Sequence, residues 1–130
     1  MKTTLLTFFV LLVGLTGFGV PALAHHGSRI SYDLSKTVTV TGTITRYVWA
    51  NPHVYFLLDV KDDSGNVVSW GAETYAPVAM APRGWSSTCL KAGDKVTVTV
   101  FPSKVGAPRG FLEKLVFPDG KVTSLGNPTE

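Results

Sequence analysis

The chain has 130 residues, 45% of them hydrophobic, with 12 Lys and Arg against 9 Asp and Glu and a formal charge of +3. A single domain runs to roughly 100–200 residues, so the length excludes a two-domain protein. The modest charge excludes an acidic disordered tail and a strongly basic nucleic-acid binder.

The first 24 residues read as a secretory signal. Lys2 precedes an apolar run from Leu5 to Val20, and Ala22-Leu23-Ala24 supplies an A-x-A-type cleavage site. The run is short of the roughly 20 residues of a membrane span and carries Gly14, Gly17 and Gly19. Cleavage leaves 106 residues with 11 basic and 9 acidic side chains, a net +2. The expected location is periplasmic or secreted, with no membrane span after cleavage and no cysteine at the new terminus to take a lipid. The one cysteine, Cys89, has no partner for an internal disulfide. It reads as a small buried apolar side chain, the other readings being an intermolecular bridge or a reactive thiol. Without disulfides, a domain this small depends on its own core.

Residues 25–35 are polar and aperiodic, and are expected to form an N-terminal arm. From Lys36 to Trp49 the chain alternates. Val38, Val40, Gly42 and Ile44 fall on one face, with Thr37, Thr39, Thr41, Thr43 and Thr45 on the other. That period of two in β-branched residues predicts a half-buried strand. Straight, it would span about 46 Å, too long for the domain, so a bend or bulge is expected at Gly42. Ala50-Asn51-Pro52 breaks the run, since proline has no N–H and restricts the residue before it. His53 to Val60 predicts a second strand. Asp62 to Asn66 predicts a turn, and Val67 to Thr74 a third strand in hairpin with the second. Pro77 to Ala81 suits a short helix with proline in its first turn, stopped by Pro82 and Gly84. Lys91-Ala92-Gly93-Asp94 predicts a turn, Lys95 to Phe101 a fourth strand and Arg109 to Phe117 a fifth. A short pairing is possible at Val122 to Ser124, and residues 126–130 form a tail.

Five strands with one helix between the third and fourth, led by a double-length first strand, predict a small closed or partly open OB-like barrel over residues 36–125. The alternative is an open sandwich.

Two clusters could carry chemistry. Cleavage after Ala24 makes His25 the new N-terminus, whose amine and imidazole can chelate one metal ion. His26 adds a second imidazole, and His53 a third if the arm folds back across the second strand. Nitrogen donors of this kind suit copper first. The plain reading is two solvated terminal histidines with no cofactor. The other cluster is the Trp49-Ala50-Asn51-Pro52-His53 corner. Tyr55 shares the strand face of His53, while Trp70 and Glu73 belong to the neighbouring strand on opposite faces. Their register decides which one joins His53. OB barrels commonly take ligands on the second and third strands, so Trp49, Asn51, His53, Tyr55, Trp70 and Glu73 are the candidate groove. The plain reading is that the tryptophans fill the core and His53 caps the turn. Arg83-Gly84-Trp85 is expected to close one barrel end with Trp85, leaving Arg83 for an aromatic face or an anion.

No G-x-S-x-G and no G-x-x-x-x-G-K-[ST] occurs. Asp62-Asp63 belongs to a turn, and the basic residues are scattered. Catalysis and nucleic-acid binding are therefore not expected.

A further set of residues is family-like: His25-His26 at the cleavage point, Tyr32-Asp33, Val40 to Thr45, Trp49-Ala50-Asn51-Pro52-His53, Gly84-Trp85, Leu90 to Asp94 and Asp119-Gly120. Together they resemble small exported bacterial proteins of the domain of unknown function 6152 family. The resemblance implies export and one compact domain, and brings no activity, substrate or cofactor. The expected function is an exported, monomeric, non-enzymatic module that binds a small ligand or a periplasmic protein through the aromatic and histidine groove. Copper or other divalent metal binding by the N-terminal histidines is the alternative, and a protein–protein interaction subunit using an exposed strand edge is the second.

Overall fold

The computed structural model describes residues 31–128; the expected signal peptide, residues 25–30 of the arm and the last two residues lie outside the described residues. Six strands run in chain order: β1 (Val38–Val48), β2 (Tyr55–Lys61), β3 (Val67–Glu73), β4 (Lys95–Pro102), β5 (Arg109–Val116) and β6 (Val122–Ser124). A short helix, α1 (Pro77–Met80), and a 3-10 turn (Ala81–Arg83) lie between β3 and β4. The sheet order is β3-β2-β1-β4-β5-β6, and a further pairing of β3 with β5 closes the first five strands into a barrel. The closing pair is parallel and joins Gly71–Glu73 to Arg109–Phe111. The open sandwich is thus excluded, and β6 extends the free side of β5.

β1 does the work of two strands. Val38 to Thr43 pair with Val100 to Lys95 of β4, and Thr43 to Val48 pair with Asp59 to Tyr55 of β2. The change of partner falls at Gly42–Thr43, where the bend was expected. The bulge is elsewhere: the β1–β2 register shifts between Ile44 and Arg46, leaving Thr45 as the extra residue. A bulge needs one unmatched residue of any type. Gly42 answers a different need, because a Cβ there would lie 2.4 Å from the Asp59 carbonyl oxygen. The extra residue also switches the inward parity of β1. Gly42 and Ile44 are buried before it, whereas Tyr47 and Trp49 pack on the core after it.

The barrel core takes Phe56, Leu58 and Val60 from β2, Val96, Val98 and Val100 from β4, and Leu112 and Leu115 from β5. Each such side chain contributes about 1.5–3 kcal/mol on burial. The β5 positions are three apart rather than two because Glu113 is unmatched where the β4–β5 register shifts. Trp85 is buried and meets Phe117 edge-on at 5.6 Å and Phe56 at 6.5 Å, plugging one barrel end as expected. Gly84, at φ 83°, ends the 3-10 turn.

A second, smaller core forms from Tyr32, Phe101 and Phe111, with Leu34 and Tyr75 packed against it. Phe101 follows the inward Val96, Val98 and Val100 by one residue, so it points outward from the barrel wall. The arm residues that read as featureless are therefore docked from Ser31 to Leu34. Tyr32 bridges Ser103, the Asp33 N–H donates to Pro102 O at 2.9 Å, and the Lys104 N–H donates to Ser31 O at 3.1 Å. Alternating Tyr32 and Leu34 place two apolar side chains on one face, which is enough to bury the outward-facing Phe101 and Phe111. Among the described residues no helix is long and apolar enough to cross a membrane.

Candidate functional site

Register sorts the predicted groove. Val48, Tyr55 and Glu73 are cross-strand partners in one row over β1, β2 and β3. They share the outer face, because the neighbouring rows pair buried Phe56 with buried Ala72 and buried Leu58 with Trp70. Glu73 therefore joins Tyr55. Trp70 is corrected out of the groove: it lies on the inner face and packs on the core. Trp49 is half-buried and also packs on the core. Asn51 and His53 are exposed, on either side of Pro52, whose peptide bond with Asn51 is cis. Val54, next in the chain, is fixed to the end of β3: its N–H donates to Tyr75 O at 3.0 Å, and the Thr74 N–H donates to its carbonyl at 2.9 Å. His25 and His26 lie outside the described residues. Among the described residues no three His, Cys, Asp or Glu side chains gather to hold a metal.

Tyr55 and Glu73 open instead toward the barrel seam. A pocket of about 160 Å³ lies there, lined by Tyr32, Tyr55, Glu73 and Arg109 together with Gly71 and Gly110. Each strand supplies its part for a local reason. Gly71 pairs with Arg109 across the seam and has no side chain to fill the space between. Gly110 permits a close approach of β4 to β5, since a Cβ there would lie 2.5 Å from Phe101 O and 2.6 Å from the Val100 side chain. The docked arm contributes Tyr32, whose ring packs on Phe111 at 6.1 Å.

The Tyr32 hydroxyl and the Glu73 carboxylate are close enough to interact across the pocket. Burial, reinforced by the Glu73 carboxylate, pushes the Tyr32 hydroxyl well above the ordinary tyrosine range, against a weaker opposing effect of Arg109. Tyr32 thus keeps its proton beside the Glu73 carboxylate. Arg109 is exposed and lines the same pocket, yet no ion pair joins it to Glu73 among the described residues. Tyr32, Arg109, Gly71 and Gly110 were missed by the sequence reading. The glycines interrupt otherwise regular strands, the one signal that pointed here.

The remaining candidates are resolved elsewhere. The Arg83 guanidinium sits over the Tyr75 ring at 5.4 Å and donates to Ala79 O. That satisfies the aromatic-face reading. Cys89 is a half-buried free thiol packed against the core. Its sulfur lies 3.3 Å from the Tyr47 hydroxyl, which donates to Ser86 O at 2.7 Å.

The architecture defines a closed, five-stranded barrel of OB type with a pocket at its closing seam. The family model for a family of unknown function, DUF6152, matches residues 13–113, and the chain belongs to that family. No curated protein matches it. Among solved structures, the chain is similar to a ZRD-deleted mutant of TiaS in complex with agmatine, at 21% identity and a TM-score of 0.47. That match covers 73% of this chain and 23% of the other, so the chain spans under a quarter of that protein. It is also similar to the mitochondrial single-stranded DNA binding protein Rim1 of S. cerevisiae, at 8% identity and a TM-score of 0.46, covering 72% of this chain and 96% of that one.

Proposed function

We propose that this protein is an exported, non-enzymatic binding module that takes a small ligand in the seam pocket. The observation that carries the reading is the convergence of two tyrosines, a carboxylate and a guanidinium on about 160 Å³ of space over a two-glycine floor. Concave sites that mix apolar lining with a few converging polar groups are where proteins take small molecules. Beside Glu73 stands a hydroxyl that holds its proton, which leaves a polar group for recognition. The volume resembles that of an engineered cavity that admits benzene, so it suits one ring or one small polar group. Compared with the groove expected from sequence, the site keeps Tyr55 and Glu73 and is displaced toward β5. Export rests on the leader-like N-terminus and its small-residue cleavage site.

The test is an amide NMR titration of the mature chain with phenol, ethylamine, propionate, alanine and methyl glucoside. At least one probe should move the amides of Gly71, Ala72 and Gly110, and E73Q should weaken that response. Shifts confined to other parts of the barrel, or none, would overturn the pocket. The mass of the protein recovered from periplasm should correspond to His25–Glu130; a chain retaining its first 24 residues would overturn cleavage.

A further inference from the structure

Resting on the pocket reading above, we infer that the ligand is a small zwitterion: a free α-amino acid, with its ammonium on Glu73 and its carboxylate on Arg109. The argument begins with charge. One small pocket carries a full negative and a full positive side chain, and the two are not paired with each other. Ionised groups left apart in a partly enclosed site favour a ligand that answers both signs.

The two charges are suitably separated. Gly71 pairs with Arg109 and Glu73 with Phe111, so Glu73 and Arg109 are diagonal neighbours across adjacent strands. With strands about 4.8 Å apart and a rise of about 3.3 Å per residue, such diagonal positions lie about 8 Å apart at the backbone. The empty position at Gly71 stands beside this diagonal, and nothing from its own side chain obstructs it.

The chemistry at each end fits. An ionised carboxylate offers about four lone-pair sites. Tyr32 lies beside this carboxylate in the pocket lining, and lone pairs remain for an ammonium. The Arg109 guanidinium presents paired N–H donors whose planar fork matches a carboxylate. The same pair rejects simpler ligands. A lone carboxylate on Arg109 meets the charge of Glu73, and a lone amine on Glu73 meets the charge of Arg109. Discrimination by an opposing charge is a usual source of specificity. The small volume excludes a polymer and leaves Tyr55 as the wall for a modest side chain.

The test compares L-alanine with its two halves, ethylamine and propionate, and with methyl glucoside, by calorimetry and by the Gly71 and Gly110 amide shifts. Alanine should bind with a Kd at least about tenfold below that of either half, a gap of about 1.4 kcal/mol. E73Q and R109Q should each raise its Kd by a similar factor while circular dichroism shows the fold retained. If either half binds as tightly as alanine, or the glucoside binds in its place, the zwitterion assignment falls and the pocket stands. If alanine binds but neither variant weakens it, the assignment to these two residues falls. If no probe moves the seam amides, both readings fall.

Discussion

A Cβ on Gly42 would lie 2.4 Å from the carbonyl oxygen of Asp59 and 2.9 Å from a methyl of Val60. The oxygen belongs to the β2 backbone and cannot move without disturbing the ladder that holds β1 to β2. We expect G42A to lose about 1–3 kcal/mol, the usual cost of overpacking. Urea denaturation should show a lower midpoint at unchanged slope. G71A is the contrast, since its Cβ would make ordinary contacts at 3.5 and 3.6 Å. It should melt near the wild type while weakening occupancy of the pocket it narrows. Equal stability of G42A and wild type would refute the close-approach account.

Tyr32 unites packing and polarity. Y32A uncovers Phe101 and Phe111 and should cost about 3 kcal/mol, the lower end for truncating a buried aromatic residue. Y32F keeps the ring on Phe111 and removes the hydroxyl beside Glu73. It should cost no more than about 1 kcal/mol, the upper scale of one polar contact. Chemical denaturation of both variants separates the two contributions, and indistinguishable variants would contradict the split.

Alkaline pH should destabilise the fold. Tyr32 and Tyr47 both titrate above the ordinary tyrosine value in the folded chain; burial is the largest cause in each, followed by Glu73 for Tyr32 and Cys89 for Tyr47. The folded state disfavours their ionised forms. Stability is therefore intact below the unfolded value near pH 10 and falls as pH rises above it. Urea midpoints measured from pH 8 to 11.5 should decline at the upper end, and Y32F with Y47F should flatten that decline.

The acid limb has the opposite sign. Asp94 accepts from the Lys91 ammonium at 2.7 Å and from its N–H at 3.0 Å, and these contacts hold its carboxyl below the usual range. The contribution is present above the unfolded value near pH 3.9 and disappears as pH falls through the folded one. This turn also secures β1, for Ile44 exchanges backbone hydrogen bonds of 2.8 Å with Gly93 and Asp94. D94N should be less stable than wild type at neutral pH and should converge with it as pH falls through the lowered folded value of the Asp94 carboxyl. A constant difference across that range would exclude the linkage.

Much of the barrel was legible because its signals are local. Val38, Val40 and Ile44 alternate with threonines, and Asp62 to Asn66 form the expected turn, where the Asp62 carboxylate accepts from the N–H groups of Ser64 and Asn66. The bulge was misplaced because Thr45 carries no distinguishing side chain. Its trace is only the change from even to odd apolar positions between Ile44 and Tyr47. Whether Trp70 or Glu73 joined Tyr55 depended on register, which alternation cannot supply. Arg109 was invisible for a stronger reason: it meets Gly71 across a long stretch of chain, through a parallel pairing that no turn announces. Tyr32 was overlooked because its partners, Phe101 and Phe111, appear to belong inside the barrel until the parity of β4 is known.

The ladder that closes the barrel is also its shortest, three residue pairs against seven between β2 and β3. Parallel pairing is slightly weaker per residue, so this seam is where the cylinder would unzip in partial opening. Glu73 stands on one side of it and Arg109 on the other. A guest gripping both would act as a buckle, and deuterium uptake along Gly71 to Glu73 and Arg109 to Phe111 would register its arrival and departure.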